Sequence, residues 1–78
     1  MDDVDVICTR FPAEAKAIRR LYGERPEFRA LCGDFIEASR ALVHWHSVES
    51  PPRARIEEYT QLVHELEAEI HEALRQAD

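Results

Sequence analysis

Two stretches decide the fold: PEFRALCGDFIEASRALVHWHS at residues 26–47 and IEEYTQLVHELEAEIHEALRQ at residues 56–76. In the first, Phe28, Leu31, Phe35, Ala38, Leu42 and Trp45 recur at alternating intervals of three and four. In the second, Ile56, Tyr59, Val63, Leu66, Ile70 and Ala73 repeat that rhythm. It is the apolar seam of helices that pack on one another. The two sets mirror each other about Ser50-Pro51. One reversal there pairs Trp45 with Ile56 at one end and Phe28 with Ala73 at the other, so the reading is an antiparallel helical hairpin.

The flanking residues set the expected boundaries. A short helix is expected over residues 12–22, with Pro12 in its first turn, Glu14 at its positive end, Arg19 and Arg20 at its negative end, and Gly23 as its stop. Pro26 opens the second helix, over residues 26–47, and Gly33-Asp34 is its weak point, since a glycine inside a helix costs about 1 kcal/mol relative to alanine. That glycine is read as an irregularity the helix tolerates, with or without a kink, the alternative being that it admits a neighbouring backbone. Ser50 is the expected N-cap of a third helix over residues 51–76, with Pro51 and Pro52 in its first turn. Residues 1–10 are read as a flexible acidic tail, which leaves 11–78 as one helical domain. The fold class is therefore all-α: a short helix packed on a long hairpin.

Composition bounds the function. A hydrophobic share of 45% beside 33% charged residues belongs to a folded chain, and only two glycines disfavour a turn-rich β fold. A net charge of −6 argues against nucleic acid, whose phosphates need clustered Lys and Arg. No apolar run approaches the roughly 20 residues of a membrane span. The acidic start Met1-Asp2-Asp3-Val4-Asp5 is unlike a secretory signal, so a cytoplasmic location is expected, where Cys8 and Cys32 remain free thiols. Charge is also polarised. Arg10, Lys16, Arg19, Arg20, Arg25 and Arg29 crowd the front, whereas Glu57, Glu58, Glu65, Glu67, Glu69, Glu72 and Asp78 crowd the back. The two regions attract, within one chain or between two.

From Phe11 onward the pattern resembles the YdcH-like family of short, uncharacterised bacterial proteins. The resemblance rests on Phe11-Pro12 opening a short helix, Ile18 and Leu21 within it, Phe28-x-x-Leu31, a polar turn, and a last helix closing through Glu69-x-x-x-Ala73-Leu74. It implies a small helical hairpin with no catalytic residue to carry over. The sequence departs from the family in its acidic, lysine-free third helix and in Gly33-Asp34-Phe35-Ile36-Glu37, where the family carries a polar signature.

No spacing suggests a nucleophile with its base, and no glycine loop precedes a helix to hold phosphate, so neither a catalytic residue nor a cofactor is expected. The expected role is a non-catalytic interaction or scaffolding module. A metal-responsive alternative uses His64, Glu67 and His71, which share a helix face. Against it, seven residues separate the histidines by about 10.5 Å along the axis, too far for one zinc ion. His44 and His46, two apart, point to different faces. Closing the seam leaves Cys32, Ile36, Val43, Leu62 and Leu74 beside it as interface candidates. The expected partner is a second copy, giving a homodimeric helical bundle, with another protein as a further partner.

Overall fold

The computed structural model describes residues 2–77. Met1 of the expected tail and Asp78 of the expected domain lie outside them. The fold is all-α, with no strand among the described residues: α1 (Asp3–Arg10), a 3-10 turn (Pro12–Glu14), α2 (Ala15–Glu24), α3 (Pro26–Ser47) and α4 (Arg53–Gln76). α3 and α4 form the hairpin, about 33 and 36 Å long at 1.5 Å per residue. α1 and α2 pack on each other and both lie on α3. The seam reads out as spaced: Phe28, Phe35 and Ala38 of α3 and Val63, Leu66 and Ile70 of α4 are buried, with Leu31, Leu42, Tyr59 and Ala73 packed against them.

Three expectations need correcting, each for a local reason. Residues 3–10 are a helix, not a tail. The Asp2 carboxylate accepts from the Asp5 N–H at 3.3 Å as its N-cap, and Asp3 and Asp5 sit in the favourable first turn. Its buried stripe supplies the reason it stays folded: Ile7 is fully buried, Cys8 and Phe11 nearly so, and Val4 packs against the core.

Gly23 does not stop α2, which runs through it in right-handed conformation to Glu24. Pro26 is what ends that helix. A residue before proline is pushed out of the α region, and Arg25 accordingly turns extended at φ −125°, ψ 109°, its N–H still bonded to the Leu21 carbonyl at 2.8 Å.

The same rule corrects the hairpin turn. Pro51 precedes Pro52 and Ser50 precedes Pro51, so neither Ser50 nor Pro51 settles readily into a helical turn. Ser50 takes a left-handed φ of 53° rather than acting as N-cap, and α4 begins at Arg53, with the Pro52 carbonyl receiving the N–H groups of Arg55 and Ile56.

α3, finally, is continuous through Gly33. A Cβ placed there meets nothing within 4 Å, so no neighbouring backbone needs the glycine. Gly33→Ala is expected to stabilise the protein by about 0.5–1 kcal/mol, through helix propensity and a less free unfolded chain, read as a rise in the urea midpoint at unchanged slope.

Polar contacts tie the layers at their edges. Arg19 donates to Asp5 at 2.8 Å, joining α2 to α1, and Arg10 donates to Glu67 at 3.2 Å, joining α1 to α4. Arg20 donates to the Ala77 carbonyl at 3.2 Å, beside the negative end of α4. The basic front thus meets the acidic back within one chain. All are solvent-exposed contacts, screened by water, so the apolar core carries the stability.

Candidate functional site

Burial stops at one level of the hairpin. Beyond Ala38 on α3 and before Val63 on α4 no residue is buried, although α3 runs nine residues further and α4 starts ten residues earlier. The cause is the short reach of the covering layer. α1 and α2 span about 12 and 15 Å, enough for the base of the hairpin alone. The tip half is left as two bare helices, with Leu42, Trp45, Val48, Ile56 and Tyr59 half-buried. Val43 is 68% exposed and Leu62 38%. The Arg55 guanidinium lies 6.0 Å over the Trp45 ring, within cation–π range.

The five interface candidates separate accordingly. Val43 and Leu62 are on the open surface of the tip. Cys32 and Ile36 are not: the first is fully buried and the second is 4% exposed, because the helix formed by residues 3–10 supplies the layer that a tail would not. Leu74 is partly buried against the core. Val6 and Arg10 join the site although they fall in the segment read as a tail.

Two shallow grooves flank the hairpin. One, of about 310 Å³, is lined by Val6 and Arg10 of α1 and by Phe35, Ile36, Ser39, Arg40 and Val43 of α3. Its floor is apolar and its rim carries guanidinium groups. The other, of about 370 Å³, lies between α3 and α4 and is lined by Asp34, Glu37, Ala38, Ala41, Tyr59, Leu62 and Leu66. Glu58 and Glu65 stand one turn either side of Leu62, so this second face is acidic around its single exposed leucine.

The metal alternative is not assembled. Among the described residues no three His, Cys, Asp or Glu side chains are grouped so as to hold an ion. Glu67 is taken up by Arg10, and the His71 ring stands edge-on to Phe11, centroids 5.2 Å apart at 84°. His64 is exposed.

Titration is perturbed mainly at structural positions. Burial pushes the Cys32 thiol up to about 11, with the nearby Asp3 carboxylate adding to the effect. The neutral thiol is the folded form, so what its burial contributes is intact below the ordinary value of 9.0 and is lost as pH rises through about 11. Arg19 holds the Asp5 carboxyl below its ordinary range, and Arg75 does the same for Glu72. None of these groups lines the grooves of the tip.

No family model, curated protein or solved structure matches the chain.

Proposed function

We propose that the protein is a non-catalytic helical interaction module whose contact surface is the tip half of the hairpin. One observation carries the reading: two amphipathic helices continue past the level where their covering layer ends, and they keep their apolar spacing there. Leu42, Trp45, Ile56 and Tyr59 hold the seam, while Val43 stands open to solvent at 68% exposure. A helix face kept apolar without a cover marks a place where something docks. The similarity to YdcH-like proteins noted above agrees with a small hairpin of this kind, and a cytoplasmic setting suits two free, buried thiols.

A photo-crosslinking amino acid placed in turn at Val43, Leu62 and Ala68 tests the reading in the native cell. Ala68 is exposed on α4 at the covered, base half. Adducts of defined mass are expected from at least one of the two tip positions and not from Ala68. Equal yields at all three positions would remove the tip as a contact surface.

A further inference from the structure

We infer that the surface covering the tip of the hairpin is the same surface of a second copy, in antiparallel twofold contact centred on Val43. The inference rests on the reading of the tip as a contact surface and names its occupant.

Which side of the tip is used follows from charge. Two copies meeting on the Leu62 side would bring Glu58, Glu65, Asp34 and Glu37 against their own equivalents, and like charges brought together in a desolvated contact cost several kcal/mol. On the Val43 side the centre is uncharged. Glu67 reaches Arg10 on α1, which fixes the face of α4 that looks toward α1. Thr60 and Ile56 lie seven and eleven residues before Glu67, two and three turns away on that same face. Val43 lines the groove with Arg10 and Arg40 at its rim, and by the helix period Ile56 and Thr60 extend that side across α4, an apolar or neutral centre with a charged rim, the distribution of a protein contact.

Orientation follows from thickness. The α1–α2 layer stands on the base half of this same side, since α1 contributes Val6 to the groove that Val43 lines. Packed helices sit about 8–10 Å apart. Two copies side by side in parallel would abut layer on layer, holding their tips about two helix diameters apart. Turned antiparallel, each tip enters the space beyond the other's layer, and the turn of one copy, with Glu49, approaches the Arg10 and Arg40 rim of the other.

Area agrees with a modest contact. The accessible surface is 5393 Å² for 9.1 kDa. A compact monomer of that mass exposes about 4,900 Å². The excess of roughly 500 Å² per copy, about 1,000 Å² when paired, is the size of a small, transient interface, so the dimer is expected to be reversible.

The test uses the full chain, whose native Cys8 and Cys32 are buried and so poorly placed to cross-link. Light scattering from low to high micromolar concentration is expected to show the mass rising from 9.1 kDa to twice that. Val43→Cys should oxidise to a disulfide-linked dimer in high yield, whereas Leu62→Cys and Ala68→Cys should not. Val43→Glu should stay monomeric throughout with its helical circular dichroism unchanged. A monomeric mass at all concentrations, or equal oxidation at Val43→Cys and Leu62→Cys, overturns the inference. If the mass stays monomeric while photo-crosslinks at the tip capture a different protein, the second copy is excluded and the tip remains the contact surface.

Discussion

Phe11→Ala should cost about 3–5 kcal/mol, the range for removing a buried aromatic ring. A single core in a chain of this size supplies about 3–5 kcal/mol in all, so the variant is expected to be largely unfolded at 25 °C. The position explains why. Phe11 is 6% exposed at the junction of α1 with the 3-10 turn, where its N–H still bonds to the Ile7 carbonyl at 2.9 Å. Its ring lies 5.7 Å from that of Phe35 on α3 and meets His71 on α4 edge-on. One side chain therefore joins the covering layer to both arms of the hairpin. Removing it leaves a void where three elements meet, and a backbone fixed on all sides cannot collapse to fill it. Phe11→Leu, which keeps most of the volume, should retain the fold at a loss nearer 1 kcal/mol. Urea denaturation followed by circular dichroism separates the two outcomes. Equal midpoints for wild type and Phe11→Ala would show that the layer is not coupled to the hairpin through this ring.

The hairpin was legible because its signal is long. Twelve seam positions over two segments leave little freedom in phase, and the residues at Phe35, Ala38, Val63, Leu66 and Ile70 are buried as that phase requires. The first ten residues were harder to read. Val4, Ile7, Cys8 and Phe11 do stand at i, i+3, i+4 and i+7, with Asp2 placed to cap, but an eight-residue helix is unstable alone and looks the same as a tail until something receives its apolar stripe. What receives it is α3, where Cys32 and Ile36, expected beside the seam as interface candidates, are buried. A single misreading thus produced two errors: a missing layer at one end of the chain and two surplus interface residues on α3. At the tip no layer was missing, which is why Val43 and Leu62 kept the exposure expected of them. Proline set the helix ends more firmly than glycine did. A glycine only permits a break, and in helical context both Gly23 and Gly33 remain right-handed, while proline forbids conformations to the residue before it.

Ile36→Glu is expected to abolish folding, where a surface role for Ile36 would have left the monomer intact. Ile36 is 4% exposed at the floor of the groove under α1, beside Phe35 and within reach of Val6. The nearest cations, Arg10 and Arg40, stand at the exposed rim of the groove, the first already committed to Glu67, so a carboxylate held in the core itself has no partner at its own level. The charge must be desolvated unpaired, at a cost of several kcal/mol, or remain protonated and still lose the isoleucine's burial of about 2–3 kcal/mol. The first exceeds what a core of this size supplies, and the second takes most of it. Seven residues on, two turns along the same face of α3, Val43→Glu places the same charge in water and should change stability by no more than about 0.5 kcal/mol. The pair therefore reads the boundary between the covered and uncovered halves of the hairpin directly. The protonated alternative gives a further check: if the Ile36→Glu side chain stays in the core, its carboxyl is raised above its unfolded value, so the variant should regain helix as pH falls toward 4 and lose it as pH rises. A cooperative, wild-type urea transition for Ile36→Glu at neutral pH would mean that α1 does not seal this face of α3.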